Sequence, residues 1–335
     1  MIRILFQVSV LIPNQWYAVL ESKEVPEGKP VGVTRLSEKL VFWRIREAVG
    51  CIRDQCVHRG AALSEGKIVG EQIQCPFHGL EYDSTGRVTL IPANGRVSSV
   101  PEQFKVKAYP ARDEHGFIWV WLGEPRDEYP PVPWFSDIDG SFNYGTSTQH
   151  WTTHYSRAIE NQLDVAHLPF VHYNTIGRGN RTVVNGPYTT LESNTITVYP
   201  DNEVDEGQTP RRVDEIKSPL HDFFVQFKFP NIWQNRISSG FRVVAVFAPI
   251  DDENTLMYLR SYRKGFNFPL LKQLSDYIGS RGNQLVAGQD RRVVQTQEPK
   301  RSELYGQEKL IQADRPIILY RQRREELIKA VKHAD

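Results

Sequence analysis

Two short strings hold two of the chain's three cysteines: Cys56-Val57-His58-Arg59-Gly60 and, with sixteen residues between His58 and Cys75, Cys75-Pro76-Phe77-His78-Gly79. Each supplies one soft thiolate and one imidazole from a turn-like segment, the second marked by Pro76 and Gly79. Two such loops can pinch a metal centre between them. The thiolates suit iron–sulfur or zinc, and the imidazoles suit either. Structural zinc sites usually separate paired ligands by about two to four residues, and Cys56-x-His58 is tighter. The strings fit better a [2Fe–2S] cluster in which two histidines replace two cysteines on one iron, a replacement that raises the reduction potential. The expected ligands are Cys56, His58, Cys75 and His78. Cys51 lies outside both loops and reads as a buried strand residue.

A second group of metal-ligating types lies in Glu160-Asn161-Gln162-Leu163-Asp164-Val165-Ala166-His167-Leu168-Pro169-Phe170-Val171-His172. The segment Ser156 to His172 reads as helical. Ile159, Leu163, Ala166 and Phe170 make one stripe, and Glu160, Asp164 and His167 make a second beside it. His167 and His172 would stand about 140° apart on a regular helix. Pro169 lacks the N–H that would bond back to Val165, so a kink is expected there. A facial iron site also needs a carboxylate. Asp290 is the candidate: Val286, Val293 and Val294 flank it on a predicted helix from Leu285 to Gln297, while Gln289, Arg291 and Arg292 are expected to point elsewhere. A carboxylate buried in an apolar stripe is costly unless it is paired or holds a metal. A salt bridge to a neighbouring arginine is the other use it could have.

Together the two groups resemble the α subunit of a Rieske non-heme iron oxygenase. The resemblance runs over nearly the whole length, through Cys56, His58, Cys75 and His78, then the D-x-x-H-x-x-x-x-H string at Asp164, His167 and His172, then the Q-D-R-R-V-V-Q-T-Q-E-P segment at Gln289 to Pro299. The length, and the Asp314-Arg315-Pro316-Ile317 segment, are most similar to the single-subunit branch with vanillate-demethylase-like and saxitoxin-pathway hydroxylase-like members. The resemblance implies an α+β chain, with an N-terminal all-β Rieske [2Fe–2S] domain followed by an α+β helix-grip catalytic domain. It implies mononuclear Fe(II) held by His167, His172 and Asp290, with O2 as co-substrate. It implies a homotrimer in the cytoplasm. Asp164 would bridge the two metals as the electron-transfer link, accepting hydrogen bonds from His167 and from His78 of a neighbouring copy. The other reading of Asp164 is a solvated helix aspartate.

The elements that must carry these groups fall into two halves. The first 122 residues read as short strands with turns, including Lys39 to Ile45, Phe104 to Tyr109 and Phe117 to Trp121, which suggests an antiparallel sandwich or barrel. Gly123 to Gly140 contains Pro125, Pro130, Pro131 and Pro133 and reads as a linker. The expected domains are 15–125 and 141–335, with the linker at 126–140. In the second half, Thr189 to Tyr199, His221 to Phe229, Gly240 to Ile250 and Thr255 to Tyr262 read as strands. Leu270 to Gln297 and Pro316 to Val331 read as helices. The expected layout is a sheet with helices on one face.

Composition excludes several classes. The chain has 335 residues, 40% apolar and 24% charged, with net charge +1. That is enough for a sizeable core, and it leaves no basic excess for nucleic acid. No apolar run approaches the ~20 residues of a membrane span. Met1 to Pro13 lacks the pattern of a signal peptide, and three cysteines fit a reducing compartment better than a disulfide framework. Gly177-Arg178-Gly179 is only a fragment of a dinucleotide motif, and three cysteines cannot build a second, ferredoxin-type cluster. Electrons are therefore expected from a separate NAD(P)H-dependent reductase or ferredoxin, acting on a small-molecule substrate. Phe223, Phe224, Val225, Phe227, Phe229 and Trp233 are expected to divide between a pocket and the core. Two readings of another class remain: a Rieske electron-transfer protein without mononuclear iron, and a zinc-stabilised binding module.

Overall fold

A computed structural model describes residues 11–265 and 269–332, with side chains for all of these except 269–276 and 331–332. Most of the Met1 to Pro13 segment lies outside the described residues. The chain divides between Val132 and Pro133 into two compact units, and the division falls inside the proline-rich segment. Among the described residues, no helix is long and apolar enough to cross a membrane.

The first unit is built from small antiparallel sheets. One joins Gln15–Glu21, Phe117–Leu122 and Ala111–Glu114; a second joins Val31–Arg35, Glu38–Ile45 and Ala48–Arg53. The third is a four-stranded meander of Lys67–Val69, Gln72–Gln74, Glu81–Tyr82 and Val88–Leu90. Inward residues of the last two sheets, Val41, Trp43, Ile52, Ile73, Tyr82 and Val88, form one core with Cys56 and Cys75 at its edge. Phe104 to Tyr109 is not a strand; it contributes only isolated bridges, Arg87 to Lys105 and Ile52 to Ala108.

The second unit is α+β. Its seven-stranded antiparallel sheet runs in the order Phe142–Trp151, Thr255–Lys264, Phe241–Pro249, Ile232–Ser238, Phe224–Lys228, Thr195–Tyr199, Tyr188–Glu192. Among the described residues, four α-helices accompany it: α1 (Tyr155–Leu163), α2 (Leu168–Val171), α3 (Pro269–Val294) and α4 (Arg315–Lys332). α3 packs against the strands Phe142–Trp151 and Thr255–Lys264, and α1 packs against α3 and α4.

Three local expectations are corrected. Thr189 to Tyr199 is a hairpin rather than one strand, because Ser193 and Asn194 both take positive φ (45° and 64°), the geometry of a tight two-residue turn. Phe142–Trp151 and Ile232–Ser238 are strands that the pattern did not announce. The helix from Ser156 to His172 is broken, and not at Pro169. α1 ends at Leu163, Asp164 is extended (φ −72°, ψ 128°), and a separate single turn begins after His167. Pro169 lies in the first turn of α2, where backbone N–H groups have no intrahelical partner and none is lost.

Candidate metal centres

The two Cys–His loops are built alike. The N–H of Cys56 donates to Ala61 O and that of Gly60 to Cys56 O, at 2.8 and 2.9 Å; the N–H of Cys75 donates to Leu80 O and that of Gly79 to Cys75 O, at 2.8 and 3.1 Å. Gly60 and Gly79 close the two turns at φ +74° and +75°, a conformation that costs glycine little and other residues more. Each loop therefore points its cysteine into the core and its histidine outward. Cys56 and Cys75 are buried, while His58 and His78 are exposed, their ring centroids 4.5 Å apart.

Polar groups face both sulfurs. Tyr82 Oη lies 3.1 Å from Cys56 Sγ and accepts the Val57 N–H at 3.0 Å. Burial pushes the Cys75 thiol up, while the backbone N–H groups of Phe77 and His78 pull against that rise. Two buried sulfurs facing hydrogen-bond donors, with two exposed imidazoles beside them, fit a cluster that puts thiolates on one iron and histidines on the other. Cys51 is a buried residue of the strand Ala48–Arg53 and joins neither loop.

In the second unit the break after α1 shapes the site. The Asp164 N–H donates to Glu160 O, closing α1, and its carboxylate Oδ1 accepts the Ala166 N–H at 2.6 Å. This side-chain turn leads into His167, the N-cap of α2, and His172 is the C-cap of the same turn. The two ring centroids lie 5.2 Å apart, with the rings edge to face. From α3, Asp290 places Oδ1 3.4 Å from His167 Nε2 and 2.9 Å from His172 Nε2. The ligand atoms of His167, His172 and Asp290 all lie within 4.8 Å of one another.

The far side of each ring faces an oxygen, at hydrogen-bond distance for His172 only. His172 Nδ1 lies 2.8 Å from Gln289 Oε1, and His167 Nδ1 lies 3.6 Å from Asp164 Oδ2. Gln289 is therefore turned toward the site, against the sequence expectation. Its Oε1 also accepts from the Thr175 hydroxyl at 2.9 Å, and its Nε2 donates to Asn174 Oδ1 at 2.8 Å. Two further amides were not anticipated: Asn161 and Gln162, at the end of α1, direct their N–H groups at Asp290 Oδ1 and Oδ2, at 3.3 and 3.4 Å. Their only signal in the sequence was polar character on a helix entering the motif.

Electrostatics match this geometry. Burial alone would lower the His167 pKa, but the carboxylates of Asp164 and Asp290 raise it to about 9. Burial opposes ionisation of Asp290, yet His167 and His172 hold its carboxyl well below the usual carboxylate range. Two Nε2 atoms and one carboxylate on one side, with both Nδ1 atoms facing oxygens behind, fit a two-histidine, one-carboxylate metal site. A cavity of about 520 Å³ opens onto this group. Phe223, Val225 and Trp233 line it; Phe227 and Phe229 instead pack on Tyr320 in the core, with centroids 5.4 and 5.6 Å away.

The chain matches the Rieske [2Fe-2S] domain over residues 15–110 and the vanillate O-demethylase oxygenase C-terminal domain over 151–330. It is 32% identical over 165 residues to protein TIC 55 of Arabidopsis thaliana, covering 48% of this chain and 31% of that protein. The chain thus spans less than a third of that relative's length. It is 28% identical over 332 residues to methylxanthine N1-demethylase NdmA of Pseudomonas putida, covering 95% of this chain and 89% of that one. The solved structure of P. putida NdmA superposes with a TM-score of 0.78 at 25% identity, covering 96% of this chain and 92% of that one.

Proposed function

The chain belongs to the vanillate O-demethylase oxygenase family, with a Rieske [2Fe–2S] domain ahead of the catalytic half, and we propose that it is a terminal oxygenase component. Its reaction is the O2-dependent hydroxylation, or O- or N-demethylation, of a small, largely apolar organic molecule. The observation that carries this reading is the His167–His172–Asp290 group at the wall of a 520 Å³ cavity. A Rieske electron carrier would have no use for a buried carboxylate between two imidazoles.

Cys56, His58, Cys75 and His78 would hold the cluster, and His167, His172 and Asp290 the mononuclear iron. When bound, the cluster supplies single electrons and the iron supplies O2 activation. The chain's own residues do the positioning. Gln289 keeps the His172 proton on Nδ1, which frees Nε2 as a lone pair. Asn161 and Gln162 donate to the two oxygens of the Asp290 carboxylate and hold its orientation. The apolar lining keeps water from the reacting face. We assign Asp164 the electron-transfer bridge: it sits beside His167 Nδ1 and is held in place by the Ala166 N–H. The reading includes a separate NAD(P)H-dependent reductase or ferredoxin, a homotrimer and a cytoplasmic location.

The test is metal and sulfide counting with a visible spectrum, then O2 uptake and formaldehyde release from methoxyarenes with a surrogate reductase. The reading expects about three iron and two acid-labile sulfides per chain, with substrate-dependent O2 uptake. Two iron and no O2 uptake would make the protein an electron carrier. A colourless, zinc-loaded protein would make it a binding module.

A further inference from the structure

The cavity beside His167, His172 and Asp290 carries a charge pattern that narrows what can enter it. Its floor is the inward face of the sheet. Val225, Asn235, Val243 and Ser261 lie side by side on the neighbouring strands Phe224–Lys228, Ile232–Ser238, Phe241–Pro249 and Thr255–Lys264. Strand alternation puts Trp233 and Ile237 on the same face as Asn235, and α3 closes the opposite side through Asn283, Val286 and Ala287.

Among the described lining residues, the ionisable ones are Asp164, His167, His172 and Asp290, all at the metal end, and none is a lysine or an arginine. Away from the metal end, an anionic substituent would leave water with no cationic side chain among the described lining residues to meet it, and a buried unpaired charge is strongly disfavoured. The polar groups away from the metal end are amides, one hydroxyl and the Trp233 indole N–H, which is enclosed and has no hydrogen-bond partner. Two of the amides are engaged: Asn202 Nδ2 donates to Val165 O at 2.9 Å, and Asn283 Nδ2 donates to Ser261 Oγ at 3.0 Å. Asn235 differs. Its Oδ1 is enclosed and likewise has no hydrogen-bond partner, between Val225 and Val243 on the neighbouring strands.

A carboxamide presents an acceptor and a donor along one edge. Its complement is an uncharged edge that offers a carbonyl and an N–H, as in a lactam, an imide or a primary amide. We propose that this chamber takes an uncharged substrate with an amide-like edge, paired by the Asn235 carboxamide, and shuts out carboxylates and other anions. The proposal rests on reading the cavity as the oxygenase's substrate chamber. It goes further by making Asn235 the residue that sets specificity.

The experiment is calorimetric binding to the metal-loaded protein, anaerobic and without reductant. The probes are 4-methoxybenzamide, 4-methoxybenzoate and 4-methoxytoluene, with 6-methoxy-2-naphthamide and 6-methoxy-2-naphthoate as a two-ring pair. The amide should bind at least about 30-fold tighter than its carboxylate on one scaffold. Asn235→Leu should weaken amide binding about tenfold and leave 4-methoxytoluene within about twofold. Asn235→Ser provides a second variant, with the same loss expected, should the leucine disturb the floor. Equal binding of amide and carboxylate, no binding by either on both scaffolds, or unchanged amide affinity in both variants would overturn the proposal. Because binding needs neither O2 nor electrons, amide preference without turnover would count against the oxygenase reading alone. Turnover of the benzoate at the rate of the benzamide would count against this proposal alone.

Discussion

Replacing Gln289 with leucine removes a hydrogen bond that only one tautomer of His172 can make. In the native protein Oε1 of Gln289 meets His172 Nδ1 at 2.8 Å, and His172 is 1% exposed. A metal on Nε2 requires the ring proton on Nδ1, so in the variant that proton would point at a methyl group. The other partners of Gln289 recover: the Thr175 hydroxyl has His172 O at 3.3 Å, and exposed Asn174 can turn to water. The net loss is thus one buried donor left unpaired, worth ~1–3 kcal/mol. That agrees with the 10- to 100-fold range typical when the partner of a metal-bound imidazole is removed. The assay is anaerobic titration of protein depleted of mononuclear metal with Co(II), followed through its visible d–d absorption. We expect Co(II) affinity about 10–100-fold weaker in Gln289→Leu, and within about threefold of native in Gln289→Glu, which keeps an acceptor. The [2Fe–2S] spectrum should be unchanged in both. Native-like Co(II) affinity in the leucine variant would refute the assignment of Gln289 as the group that fixes His172.

Tyr82→Phe deletes the hydroxyl next to Cys56 Sγ. One neutral hydrogen bond at ~0.5–1.5 kcal/mol corresponds to a fall of about 20–60 mV in a one-electron potential, read by a redox titration of the cluster; an unchanged potential would mean the tyrosine only packs. Asp290→Ala should abolish binding of the third iron and all oxygenation while the cluster spectrum survives; full iron with turnover would move the carboxylate ligand elsewhere. His154 is buried as the N-cap of α1, and its pKa is lowered by burial first and then by Arg324, Arg301 and Arg157. Below about pH 6.5 the unfolded chain takes up a proton that the native ring refuses, so stability present above that pH falls by up to ~1.4 kcal/mol per unit as pH drops. Denaturant titrations at pH 7.5 and 5.5 should show a smaller acid loss in His154→Asn than in the native protein, and equal losses would refute this account.

The groups that were legible in the sequence are those whose chemistry is rare. With only three cysteines, two of them each followed closely by a histidine stand out, and a carboxylate among valines marks Asp290 for burial, which the structure gives as 2% exposed. What stayed hidden is ordinary in composition. Gln289 sits about 100° from Asp290 on the helix, and pattern alone turned it away; its longer side chain reaches sideways to His172. Asn161 and Gln162 look like any polar helix residues. The end of α1 was invisible because Asp164, Val165 and Ala166 tolerate a helix, and what stops it is a side-chain oxygen bonding two residues ahead. The hairpin at Ser193-Asn194 was missed for want of a glycine, although asparagine adopts the left-handed region readily.

The two histidines of the catalytic unit stand at the two ends of one closed turn. The N–H groups of Phe170 and Val171 return to His167 O, and that of His172 returns to Leu168 O at 3.0 Å. The turn works as a gauge that fixes how far apart the rings begin. Its outer surface carries no such demand: Phe170 is 67% exposed. The four residues between the histidines should therefore be free to change in kind wherever they face outward, yet intolerant of any change in number. Adding or removing a single residue would rotate one imidazole by about 100°, out of reach of Asp290, even if every ligand were still present in the chain.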